Sequence, residues 1–255
     1  ILTTGHPPLD NRIFYKQALS LKKKYPDITL IAPADQEEVW EQGIRILGVP
    51  KMSSLYGRFK LGDAVVDKGI EVGADIYHFH DFELIYKVSR IKKALPHAKI
   101  IYDVHEHYPD MMRLSKKIPP LLKPLATWFV DKSELALARR FDYIITADDA
   151  VRERFAPHHP RVEVIYNFSD FVPRMAPDQD KVYDVIYQGG ITLERGVLKD
   201  IQAIELLKKE RPEIKMIFVG PFHDPAEKAE VERYVAEHGL QENVIFTGRV
   251  PRAEV

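Results

Sequence analysis

Residues 74–107 read ADIYHFHDFELIYKVSRIKKALPHAKIIYDVHEH, and this stretch decides the fold. Two runs rich in β-branched and aromatic residues, Ile76 to Phe79 and Ile100 to Val104, flank an amphipathic stretch from Phe82 to Leu95. Strand, helix and strand in that order predict two parallel strands joined by a helical crossover. Each strand ends in polar residues: His78, His80, Asp81 and Glu83 at the first, Asp103, His105, Glu106 and His107 at the second. In open α/β sheets ligands sit beyond the carboxyl ends of the strands, so these clusters are the first candidates for a site.

Working outward, the same alternation continues. Further strands are predicted at Ile28 to Ala32, Ile44 to Val49, Tyr143 to Ala147 and Val162 to Tyr166. Helices are predicted near Arg12 to Lys24, Lys60 to Val72, Pro120 to Arg140 and Asp149 to Phe155. Together these make one doubly wound sheet ending near Asn167. Asp170 to Asp180 holds Pro173, Pro177 and several charges with no apolar period, and reads as a linker. A second series follows: strands Val182 to Gln188, Lys215 to Val219 and Val244 to Thr247, with helices Val197 to Arg211 and Ala226 to His238 between them. The expected architecture is therefore α/β with two Rossmann-like domains, 1–170 and 171–255. The first residues, Ile1-Leu2-Thr3-Thr4, read as the tail of a strand, and Arg252 to Val255 as a helix just beginning. Both ends are therefore expected to continue in the natural chain, and since three strands bury little core, more chain is expected to follow the second series.

Composition narrows the function. The 255 residues carry a formal net charge of -1, so no global field draws in nucleic acid. The absence of cysteine rules out disulfides, thiolate zinc sites and cysteine nucleophiles, and fits a reducing cytoplasm. No apolar run approaches the length of a membrane span.

The chain's first strand tail leads into Gly5-His6-Pro7-Pro8 and then Asp10, Asn11 and Arg12, a third polar cluster on the same rim. Asp10 and Asp81 read equally well as helix N-caps or as groups in a cleft. His78, His80, His105 and Glu106 include zinc ligand types, but His78 and His80 share one face of a strand and need not converge with His105. No metal is expected. In the second domain, Gly189-Gly190-Ile191-Thr192-Leu193-Glu194-Arg195-Gly196 joins a strand to a helix. Small residues let a ligand approach the backbone, free N–H groups at a helix start favour phosphate, and Arg195 adds a bidentate donor. The segment is neither a Walker loop nor a GxGxxG fingerprint.

In their order these segments resemble glycosyltransferase family 4, the retaining enzymes of the GT-B class. The resemblance rests on His6-Pro7-Pro8 through Phe14, Ala74 to Leu84, Ile101 to Glu106, Val164 to Asn167, Gly189 to Gly196, and Val244 to Pro251. It implies two domains facing across a cleft, the first for the acceptor and the second for a nucleotide sugar. It implies that His105 contacts the transferred sugar, that Arg195 with Gly189, Gly190 and Gly196 holds the diphosphate, and that no cofactor is needed. His6, Asp10, Arg12, His80, Asp81 and Glu106 are the cleft or acceptor candidates. The family's second basic position is occupied here by Gly190, and its pair of donor-domain glutamates lies beyond Val255. The implied activity is transfer of a hexosyl group, with retention, to a glycan or lipid-linked hydroxyl. The rival readings are a sugar-nucleotide epimerase on the same scaffold and an inactive fragment that only binds.

Residues 111–130 hold Arg113, Lys116, Lys117 and Lys123, no acidic residue, and Met111, Met112, Leu121, Leu122, Trp128 and Phe129 among them. Two readings stand here: a segment lying on an anionic membrane, as for a peripheral protein at the cytoplasmic face, or a helix whose Leu121, Leu125 and Trp128 face the core.

Overall fold

A computed structural model describes residues 1–52, 54–115, 118–168 and 182–251. The linker expected at 170–180 and the helix start at 252–255 lie outside the described residues. The chain divides into two compact units, Ile1–Asp170 and Phe171–Val255.

The first unit contains strands β1 (Thr29–Pro33), β2 (Glu38–Glu41), β3 (Ile44–Val49), β4 (Ile76–Phe79), β5 (Lys99–Val104), β6 (Tyr143–Thr146) and β7 (Val162–Val164). β1 pairs with β3, and β4, β5, β6 and β7 pair in succession, all parallel. Leu2 joins the two groups, bridged in parallel to Ile31 of β1 on one side and to Phe79 of β4 on the other. The alternating side chains bury both faces, as expected for a doubly wound sheet. Leu30, Ala32, Ile44 and Ile46 pack with Ile13, Phe14 and Ala18. Ile31, Leu47 and Val49 join Leu61, Val65 and Val66 in the larger core around Phe79 and Tyr102.

The second unit is a three-stranded parallel sheet, β8 (Val185–Gln188), β9 (Met216–Val219) and β10 (Val244–Gly248), in sequential order. The helices Val197–Lys208 and Pro225–Glu237 contribute Val197, Ile201, Ile204, Val231 and Val235 to its core around Phe218.

Several elements differ from expectation. β2 was not expected; it pairs antiparallel to β3 through a two-residue turn in which Gln42 (φ 47°) and Gly43 (φ 72°) both take positive φ. That is the geometry hairpins prefer, but Gln-Gly lacks the usual Asn-Gly or Asp-Gly signal. A short helix, Tyr108–Leu114, lies where no helix was expected. The opening helix is π-helical over Asn11–Ala18 and ends at Lys22. The helix expected from Lys60 begins at Leu55, capped by Ser54 Oγ accepting from Gly57 N at 3.0 Å. Phe82–Lys87 is a 3-10 segment leading into the α-helix Val88–Ala94.

The stretch Pro120–Arg140 forms a 3-10 turn, Pro120–Leu122, then the helix Lys123–Ala138. Only the second half of that helix enters the core. Val130, Glu134 and Ala138 are buried, and Glu134 accepts a hydrogen bond from Tyr102 Oη at 2.6 Å and pairs with Arg154 at 2.7 Å. Leu121, Leu125 and Trp128 are exposed, which overturns the reading that they face the core. Their stripe lies on the side opposite Val130 and Glu134, and nothing described covers it.

Candidate active site

The strand order of the first unit reads β2, β3, β1, Leu2, β4, β5, β6, β7. From Leu2 the chain builds outward to β1 and β3, then crosses through the helix Leu55–Val72 to β4 on the other side. Leu2 and β4 therefore flank the topological switch point, where neighbouring connections diverge and leave a crevice. The three polar clusters converge there.

Asp103, at the end of β5 and fully buried, is the hub. Its Oδ1 accepts from Arg12 Nη2 at 3.0 Å, and its Oδ2 accepts from Gln17 Nε2 at 2.6 Å and lies 3.2 Å from His78 Nε2. Arg12 also donates to Ile165 O at 3.3 Å. Burial resists ionisation of Asp103, but the His78 hydrogen bond and the fields of His80, His78 and His105 outweigh it. The carboxyl is held well below the usual carboxylate range.

His80 and His105 do meet, a point the sequence left open: His80 Nδ1 lies 2.9 Å from His105 Nε2, and that same nitrogen lies 3.4 Å from Asp103 Oδ1. β4 and β5 are adjacent, so residues just beyond their ends share one rim. Burial, aided by Arg12 and His6 and opposed by Asp103, brings His105 down to about 4. Burial drives His80 well below its ordinary value too. Both imidazoles are therefore neutral near pH 7 and act as hydrogen-bonding groups.

His78, His80 and Asp103 place ligand atoms within 4.8 Å of one another, a spacing compatible with a metal ion. Arg12 already occupies Asp103, and its guanidinium charge beside the carboxylate opposes a second cation there.

Asp10 is an N-cap, accepting from Arg12 N at 2.8 Å and Ile13 N at 2.9 Å. Asp81 occupies an N-cap position but makes no capping bond with its side chain. Instead its Oδ2 accepts from Thr3 Oγ1 at 2.6 Å and Thr4 N at 2.7 Å, and its Oδ1 accepts from Arg58 Nη2 at 2.8 Å. Asp81 thus fixes the loop that carries His6. Glu83 joins by accepting from Thr4 Oγ1 at 2.5 Å. Glu106 is exposed and takes no part among the described residues. Arg58, Gln17, Thr3 and Thr4 were not anticipated, since each comes from a part of the chain without a recognisable signal.

His6 Nδ1 lies 3.4 Å from Asp10 and its Nε2 lies 3.8 Å from Asp81. Burial opposes the imidazolium, but the Asp10 bond and the fields of Asp81 and Asp10 raise His6 above its ordinary 6.5. Burial likewise opposes the Asp10 carboxylate, yet the His6 bond and the Ile13 N–H bring it down to about 2. The pair therefore stabilises the loop fully between the ordinary carboxylate and imidazole values. It is lost as pH rises through the folded value of His6, or falls through that of Asp10. Asp10→Asn is expected to lower the His6 titration midpoint followed by proton NMR; an unmoved midpoint would mean that the pair does not form.

In the second unit the loops after β8 and β9 lie against each other, bridged at Ile191 and Phe222. Gly196 (φ 88°) precedes the Val197–Lys208 helix, which no side chain caps. Arg195 is exposed and has no side-chain partner among the described residues. A Cβ at Gly190 would lie 2.7 Å from His223 Nε2 and 3.9 Å from Arg195 Nη1. Glycine thus leaves room for two basic side chains to approach the same backbone. His223 was missed in the sequence, lying some thirty residues beyond the glycine pair with no motif around it.

The family model described as Glycosyltransferase Family 4 matches residues 11–171. The chain belongs to glycosyltransferase family 4. The model described as Glycosyl transferases group 1 matches residues 173–255 of this family 4 chain. No curated protein matches it in sequence. Among solved structures it is similar to Anabaena Alr3699/HepE in complex with UDP and glucose, at TM-score 0.60 and 18% identity over 91% of this chain. It spans 65% of that protein's length. It is also similar to the catalytic domain of starch synthase IV from Arabidopsis thaliana bound to ADP and acarbose, at TM-score 0.60 and 12% identity, covering 92% of this chain and 70% of that one. A third is the trehalose 6-phosphate synthase of Burkholderia multivorans, at TM-score 0.61 and 9% identity, covering 99% and 70%. These likenesses establish the GT-B class of fold, with Rossmann-like units.

Proposed function

We propose that this family 4 chain belongs to an enzyme that moves a hexosyl group from a nucleotide sugar to a hydroxyl on a glycan or lipid-linked acceptor, with retention of anomeric configuration. The second unit holds the donor and the first the acceptor. The observation that carries this reading is the convergence of Arg195 and His223, both without side-chain partners among the described residues, on the Gly189–Gly190 backbone beside a helix start that no side chain caps.

Breaking the bond from the anomeric carbon to phosphate builds positive charge on the sugar ring and negative charge on the departing diphosphate. Arg195, the N–H groups opening the Val197–Lys208 helix and the His223 imidazole lie where they would stabilise the diphosphate. His223 would then supply the second polar contact for which Gly190 has no side chain. His105, a neutral imidazole steadied by His80 and Asp103, hydrogen-bonds the transferred sugar. No step in this scheme calls for a metal. The acceptor is met at an anionic membrane surface on the cytoplasmic side, to which residues 111–130 dock.

Arg195→Ala is expected to weaken UDP or ADP binding by about 1.5–3 kcal/mol, as for a charged hydrogen bond, with little change for uridine or adenosine. Calorimetry with each nucleotide against its nucleoside makes the comparison. Equal losses for nucleoside and diphosphate would remove Arg195 from the phosphate site.

A further inference from the structure

A groove of about 660 Å³ lies between the Tyr108–Leu114 helix and the opening of the Lys123–Ala138 helix. Arg113, Lys123, Thr127 and Trp128 line it, with His107 and Pro124. Thr127 Oγ1 is buried there without a hydrogen-bond partner. The two acidic groups at the groove are already matched. Asp131 accepts from Arg154 Nε at 3.0 Å, and Asp110 pairs with Arg113 at 2.9 Å and His107 at 2.8 Å. Lys123 has no ion-pair partner among the described residues.

Around this groove stand Met111, Leu114, Leu121, Leu125, Trp128 and Phe129, all exposed, Leu121 to 90% and Trp128 to 58%. Leu121, Leu125, Trp128 and Phe129 follow helical spacing, so they form one outward stripe. An apolar stripe with cations interleaved is matched where phosphates lie directly above hydrocarbon, which is a bilayer surface. The sequence adds Lys116 and Lys117 and no acidic residue between 111 and 130.

We propose that this groove seats the phosphate headgroup of an anionic lipid, bonded by Lys123, while the surrounding apolar side chains enter the acyl region. The proposal rests on the membrane-docking reading above and gives it a specific lipid contact. It stands independently of the transfer chemistry.

The test follows Trp128 fluorescence in a Trp40→Phe background, where Trp128 is the sole tryptophan. Vesicles of phosphatidylcholine alone are compared with vesicles containing phosphatidylglycerol, at low and high salt. The expected result is a blue shift on anionic vesicles at low salt, with quenching by lipids brominated in the acyl chain. Lys123→Gln should weaken that binding about five-fold, and Leu121→Gln with Leu125→Gln should abolish the shift. No shift on anionic vesicles at low salt overturns the membrane reading and the seat together. A shift equal on both vesicle types and unchanged by Lys123→Gln keeps the membrane and overturns the seat. Glycerol phosphate without vesicles should leave Trp128 unchanged; an equal response to it assigns the groove to a soluble phosphate instead. Self-association lost with the leucine pair, without vesicle binding, assigns the face to a second copy and overturns the proposal.

Discussion

Arg12→Ala is expected to destabilise the first unit by about 3–5 kcal/mol, the cost of stripping one partner from a buried ion pair. The side chains of Arg12 and Asp103 are 9% and 0% exposed, so the orphaned carboxylate would have little access to water. Gln17 and His78 would remain as partners, and Ile165 O would lose a donor. For a unit of this size the melting temperature should fall by roughly 6–20 °C. Replacing both partners, as Arg12→Met with Asp103→Leu, should recover much of the loss, because the cost comes from the unpaired charge. The pH dependence has a definite sign. A carboxyl held low in the folded state contributes stability above its ordinary range, and that contribution fades as pH falls through the folded value. The Arg12 pair needs the ionised carboxylate, so the stability gap between wild type and Arg12→Ala should narrow as pH falls through that folded value. Urea and acid unfolding followed by circular dichroism would measure both effects; a loss below about 1 kcal/mol for Arg12→Ala would show that Asp103 does not depend on this pair.

The second large effect concerns catalysis. For the proposed transfer reaction, His105→Ala is expected to lower kcat by about 10²–10³-fold, the range for losing one preorganised hydrogen bond to developing charge. Affinity for the nucleoside diphosphate should stay nearly unchanged, because Arg195 and His223 belong to the other unit. With His105 brought down to about 4, no step in kcat near the ordinary imidazole value should arise from its titration. Steady-state kinetics with a nucleotide-sugar donor would separate the outcomes. Near-normal turnover would reduce His105 to a structural partner of His80 and Asp103.

The sequence pattern was enough to find the parallel strands and the rim they share, because hydrophobic alternation and the polar residues after each strand are local signals. It could not say which side chains meet across that rim. Arg12 reaches Asp103 across ninety-one positions and Arg58 reaches Asp81 across twenty-three, and nothing in spacing encodes such pairs. Asp10 and Asp81 look alike in sequence, yet one caps a helix and the other holds a loop. That difference depends on Thr3 and Thr4 lying beside β4. The π-helical opening and the β2 hairpin lack strong residue signatures. Periodicity also identified an apolar stripe at 121–129 without revealing which side of the helix meets the core; the buried Glu134–Arg154 pair settles that.

The placement of Leu2 bears on how the first unit assembles. The segment that comes first in the sequence ends in the middle of the sheet, between strands that come some thirty and eighty residues later. Its bridges to Ile31 and Phe79 cannot both close until the chain extends through β4. Until then Leu2 is an apolar side chain awaiting its slot, and β1 with the β2–β3 hairpin must form with an open flank. Such sequence-distant pairing raises contact order and slows folding. On a ribosome, the interval before residue 79 emerges is when this unit is most exposed to wrong partners.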